Sequence, residues 1–76
     1  MNILISLADA LTAATALLQA ASIALAVLAN LLQAAELIVQ QQPMVPGATA
    51  EDEMALLRAV VKAQRAVMDH VGEDRT

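Results

Sequence analysis

The chain has 76 residues, a formal net charge of −4, no cysteine, and no phenylalanine, tyrosine or tryptophan. These features exclude a disulfide scaffold and a cysteine-built metal site, and the negative charge argues against nucleic acid as a partner. Hydrophobic residues make up 59% of the chain and are mostly alanine and leucine, which is typical of helical proteins and too apolar for a disordered chain. We therefore expect one all-α domain over residues 1–76.

Hydrophobic periodicity predicts a long first helix over about residues 3–41. When heptads are counted from Leu4 at position a, every a, d and g position between Ile3 and Val39 is apolar, and the polar residues fall elsewhere. A repeat of seven residues is typical of helices that pack side by side with a left-handed twist. The first helix is therefore expected to pack against other helices.

Two prolines and a glycine predict where this helix ends. Pro43 cannot continue a helix, and the pair Pro46 and Gly47 is a turn signal. We expect a turn over residues 42–49, which folds the chain into a helical hairpin.

A shorter second helix is predicted over about residues 50–71. Thr49, with Asp52 three residues later, has the pattern of an N-cap. Gly72 is expected to end the helix and leave a frayed tail over 72–76.

The second helix has two apolar stripes. With Met54 at position a, the predicted core stripe occupies the a, d and g positions: Met54, Leu57, Val60, Val61, Gln64, Val67, Met68 and Val71. Gln64 is the polar member of this stripe, and we expect it either to set the register of the packed helices or to lie at the edge of the core and turn outward. A second stripe has smaller side chains and is predicted to face a neighbouring chain: Leu56, Ala59, Ala63 and Ala66. One apolar stripe suits one neighbour, so two stripes indicate neighbours on both sides.

A hairpin of this kind leaves part of its first helix uncovered. The long helix would span about 55 Å and the shorter one about 33 Å. The leucines left uncovered are Leu4, Leu7, Leu11 and Leu18. Burying these four side chains is worth roughly 6–12 kcal/mol, so neighbouring chains are expected to cover them in a multi-chain coiled-coil-like bundle. The predicted interface comprises Leu4, Leu7, Leu11, Leu18, Ile23, Val27, Leu37 and Leu56.

The sequence predicts no catalytic, cofactor or metal site. His70 is the only histidine and has no cysteine to join it, and a lone histidine near a helix end is usually a solvated or dipole-paired group. Arg58, Lys62 and Arg65 are predicted to form a solvated basic face. We expect neither an enzyme nor a cofactor.

The predicted function is structural. The chain is expected to self-associate, or to pack on a larger helical partner, as an assembly or scaffold component, for example of a phage or other bacterial particle. The N-terminal segment lacks the positive charge of a signal peptide, so we expect the protein in the cytoplasm or within such a particle.

The alternative is a small holin-like protein of the inner membrane with a span near residues 14–32. Gln19, Ser22 and Asn30 lie inside that window, and amides are costly in lipid. No basic or aromatic anchor flanks the segment. The heptad placement of the polar residues favours the helical bundle.

Overall fold

The computed structural model describes residues 3–41 and 44–74, with only the backbone for 73 and 74. This part of the chain contains three helices and no strand: α1 (Ile3–Leu18), α2 (Ala24–Val39) and α3 (Ala50–Asp74). The all-α class is therefore confirmed. The two-helix hairpin is wrong, because the predicted long helix is broken at residues 19–23.

Burial of leucine explains the break. A straight helix over α1 and α2 would leave the leucines at its beginning in water, whereas a bend lets α1 pack on the rest of its own chain. Each backbone hydrogen bond lost at the bend costs about 0.5–1.5 kcal/mol, and each leucine that becomes buried contributes about 1.5–3 kcal/mol. Several leucines therefore outweigh a few lost hydrogen bonds.

The break also divides the segment predicted as a membrane span near residues 14–32. Its first part lies in α1 and its second part in α2. Within residues 3–41 and 44–74, no helix combines the length and apolarity that a membrane crossing requires.

The three helices form an up-down-up arrangement. The middle of α1 shares a groove with the first half of α3, and the C-terminal end of α1 shares a cleft with residues 66–70, so these two helices run in the same direction. Ser22, just before α2, lies beside that cleft, and Glu36 of α2 lies beside Gln64. α2 therefore runs opposite to α3.

The core between the helices is wholly aliphatic. Its largest fully buried side chains are Leu4, Leu11, Leu28 and Leu56. Among the residues that the structure describes, every core residue is leucine, valine or alanine, and no polar side chain is buried. These core residues are Leu4, Leu7, Ala8, Leu11, Ala14, Leu18, Ala24, Leu28, Leu32, Ala35, Leu56, Ala59, Val60 and Ala63.

This core corrects the prediction that the N-terminal leucines lack a partner within the chain. Leu4 and Leu11 are 0% exposed, Leu18 is 5% exposed and Leu7 is 9% exposed. The error followed from the two-helix hairpin, in which only one short helix could cover the long one. With α1 folded beside both α2 and α3, the chain buries these leucines itself.

The connection between α2 and α3 has the predicted turn. The Ala48 amide donates to the Val45 carbonyl at 3.1 Å, and Gly47, the third residue of the turn, has φ +83°. A proline at the second position followed by a glycine with positive φ is the pattern of a type II turn. Pro43, the predicted helix stop, lies outside the described residues.

Thr49 caps α3 as predicted. The Asp52 amide donates to the Thr49 Oγ1 at 3.2 Å, and the Thr49 amide donates to the Asp52 carboxylate at 3.4 Å. These two bonds form a capping box that satisfies otherwise free donors. At the other end, α3 continues through Gly72 to Asp74, so the predicted stop at Gly72 is wrong.

The predicted core face of α3 is correct at Val60 and Val67 and wrong at its a positions. Leu56 and Ala63 are fully buried, whereas Met54 and Val61 are about half exposed. The small-residue stripe faces α1 and α2 because alanine allows helix axes to approach closely. The stripe with larger side chains is left on the outside.

Candidate interaction surface

The outer face of α3 is an exposed apolar seam. It consists of Met54, Val61, Met68 and Val71, which are 48%, 55%, 74% and 37% exposed. Their spacing of seven, seven and three residues places them on one side of the helix. Large apolar side chains at coiled-coil spacing mark a surface suited to a second helix.

Charged residues border this outer face. Arg58, Lys62 and Arg65 are exposed and form the basic strip along one edge. Glu53, in the first turn of α3, lies at the opposite edge, because it occupies heptad position g when Met54 is at a. The two edges therefore carry opposite charge near the beginning of the helix.

A groove between α1 and α3 adjoins the outer face. It has a volume of about 690 Å³. Its lining comes from α1 and from the first half of α3: Ala8, Asp9, Thr12, Met54, Ala55, Leu57, Arg58, Ala59, Val61 and Lys62. Part of the wall of this groove is therefore formed by the apolar seam of α3. The groove widens the area that a partner helix can contact.

Gln64 interrupts the seam and ties it to the rest of the bundle. Its Nε2 donates to the Glu36 Oε1 on α2 at 3.3 Å, and both side chains are exposed. The amide therefore lies at the edge of the core, which agrees with the expectation that a polar residue at this position can turn outward. This bond joins α3 to α2 at the surface of the bundle.

The predicted interface residues divide into two groups. Ile23, Val27 and Leu37 are 79%, 53% and 65% exposed, and their contact with a partner stays a prediction. The other five are in the core: Leu4, Leu7, Leu11, Leu18 and Leu56. These five are therefore not a free surface of the folded chain.

Sequence reasoning missed the outer face of α3 as a surface because it assigned those residues to the core. The signal was present: both stripes of α3 are apolar, and only one can face the same bundle. The criterion that could have chosen between them is side-chain size, because three closely packed helices accommodate alanine more readily than methionine.

A smaller cleft lies at the end of the bundle where α1 meets α2. It has a volume of about 380 Å³ and is lined by Gln19, Ser22, Asp69 and His70, together with apolar neighbours. In the described part of the chain, no three histidine, aspartate or glutamate side chains are grouped to hold a metal ion. The cleft therefore combines a carboxylate, an imidazole and the hydroxyl groups of Thr15 and Ser22.

The molecule has more surface than its mass requires. A compact monomer of 7.9 kDa is expected to expose about 4,400 Å², and this chain exposes 5194 Å². The excess agrees with an elongated body measuring 44 × 20 × 17 Å. Additional surface that includes large apolar side chains is available for contact with a partner.

Comparisons with protein families, with characterised proteins and with solved structures give no match to this chain.

Proposed function

We propose that this protein is a non-enzymatic structural component that acts by assembling with other helices, in the first place with copies of itself. The observation that carries the proposal is the outer face of α3, an apolar seam at heptad spacing that its own bundle leaves exposed. A component of a multi-protein particle would act in this way. A larger helical partner would use the same face.

The charges beside the seam favour parallel pairing of α3 with α3 of a second copy. In a parallel pair, position g of one helix meets position e of the other, five residues later. Glu53 of one copy then meets Arg58 of the other, and symmetry repeats the contact. In an antiparallel pair, Arg58 would instead approach Arg65, which is unfavourable.

The seam is tested by placing charge in its middle. The double variant Val61→Asp and Met68→Asp changes two exposed side chains, so the fold should persist and the helical circular dichroism should be unchanged. Assembly buries these carboxylates, so the dissociation constant should rise about a hundredfold or more. Light scattering over a concentration series measures it, and a variant that assembles from the same concentration upward as the wild type would overturn the proposal.

A charge exchange tests the parallel arrangement. Glu53→Arg and Arg58→Glu should each weaken self-association, since each places like charges together. The double variant should recover most of the loss. Exposed pairs contribute about 0.2–1 kcal/mol each, so each single change should weaken binding several-fold. Lys62→Gln serves as the control and should leave the mass unchanged. Additive losses without recovery would contradict the parallel pair.

A further inference from the structure

The two connections in this fold are built differently. The connection before α3 contains a type II turn with Gly47 at positive φ and a capping box at Thr49. The break at residues 19–23 contains neither glycine nor proline, and no described non-glycine residue has positive φ. Ile23, at the N-cap position of α2, has helical angles of −60° and −26° and makes no side-chain cap.

Hydrogen bonding at the break is close to that of a helix. The Ala20, Ala24 and Leu25 amides donate to carbonyls three residues earlier, at 3.0 Å, as in a 3₁₀ helix. In one continuous helix, such amides would bond four residues back. Because Ala20 and Ala21 are the best helix formers, the local sequence favours the straight form.

The seven-residue phase also continues across the break. Leu11 and Leu18 precede it, Leu25 and Leu32 follow it, and all four occupy position a. Leu11, Leu18 and Leu32 are buried, and Leu25 packs against the core. Two separate helices joined by a bend have no need of a common heptad register. One continuous helix needs a common register to keep its apolar positions on one side.

We propose that residues 19–23 are a hinge, and that in a dimer α1 and α2 join into one straight helix whose α1 half packs on a second copy. The proposal rests on self-association and names one route to it. A straight helix over residues 3–39 spans about 55 Å and α3 about 37 Å, so one chain cannot bury both halves. A second copy that gives up its own α1 in exchange restores every core contact.

The hinge can be measured directly because the chain has no cysteine. Ser6 and Asn30 are both exposed, so Ser6→Cys and Asn30→Cys allow two spin labels on one chain. In a continuous helix their Cα atoms are about 36 Å apart, and in the bent chain they are less than about 20 Å apart. Mixing labelled chains with a large excess of unlabelled chains restricts the readout to distances within one chain.

The measurement is made in the Val61→Asp and Met68→Asp background, so that pairing through α3 does not contribute. We expect the fraction of chains that show the long distance to rise with total protein concentration, in step with the fraction of dimer. If the dimer forms and only the short distance is seen, the hinge proposal is overturned and the proposed function stands. If this background is monomeric at every concentration, exchange of α1 is likewise overturned.

Ile23→Pro and Ile23→Ala form a matched pair. Both remove the exposed apolar side chain, and the bent form already has the φ that proline requires. Inside a straight helix, proline removes a hydrogen bond and clashes with the preceding turn. Ile23→Pro should therefore weaken the exchanged dimer at least about a hundredfold, and Ile23→Ala should retain it. Equal dimerisation of the two variants would overturn the proposal.

Discussion

Leu11 and Leu17 are the same residue type on the same helix, six positions apart, and their environments are opposite. Leu11 is 0% exposed and Leu17 is 59% exposed. The difference follows from the direction of each side chain around α1, since only one side of the helix faces α2 and α3. Substitutions at these two positions change helix propensity equally, so a difference in their effect on stability reports burial alone.

Leu11→Ala should lower the free energy of unfolding by about 2–5 kcal/mol, because it opens a cavity in an aliphatic core. Leu17→Ala should change it by less than about 0.5 kcal/mol. Urea unfolding followed by far-ultraviolet circular dichroism measures both, at a concentration where the chain is monomeric. Similar losses for the two variants would contradict the position of α1 in the bundle. Leu11→Asp is expected to unfold the chain, because it places a carboxylate in that core.

At the residue scale, the local signals around the start of α3 were predictable, whereas Gly72 did not end this helix. Thr49 and Asp52 form the expected cap, and Pro46 with Gly47 forms the expected turn, because a few neighbouring atoms determine each of these features. The bend at residues 19–23 carries no such signal. It results from burial of distant leucines, and a local pattern does not contain that information.

At the element scale, α3 packs through small side chains. Ala59 and Ala63 are 7% and 0% exposed and lie on the same side of the helix as Leu56. Alanine at these positions lets the helix approach α1 and α2 closely, and at such contacts there is no room for a larger side chain.

Ala63→Leu should therefore lower the free energy of unfolding by about 1–3 kcal/mol through overpacking. Ala34→Leu, on the exposed side of α2, introduces the same side chain where there is space and should be nearly neutral. Thermal unfolding of the two variants under the same conditions measures the difference. A neutral Ala63→Leu would show that α3 does not pack through this face.

The element scale also shows why one face of α3 was misassigned. Heptad spacing identifies apolar stripes and does not say which of two stripes a bundle will cover. Met54 and Val61 match the pattern as well as Leu56 and Ala63 do. The choice depends on the separation of three helix axes, which becomes known only when the third helix is placed.

At the scale of the whole molecule, stability and assembly are coupled. A chain of 76 residues buries a modest core, so contacts with other copies should contribute measurably to its stability. Anything that binds only the folded form raises the melting temperature by mass action.

The melting temperature should therefore rise by roughly 5–10 °C over a hundredfold increase in protein concentration. The triple variant Val61→Asp, Met68→Asp and Ile23→Pro lacks both proposed contacts and should show no such rise. Calorimetry over the concentration series checks this. A wild-type melting temperature independent of concentration would show that the folded chain does not associate in that range.

The aliphatic core has a consequence for how this molecule can be observed. With no phenyl or indole ring anywhere in the chain, the buried leucine methyl groups experience no strong ring-current shifts. Their proton resonances should fall in a narrow band even when the protein is fully folded, and intrinsic fluorescence is absent. A crowded methyl spectrum is therefore no sign of loose packing here, and slow exchange of backbone amides is the appropriate test of order.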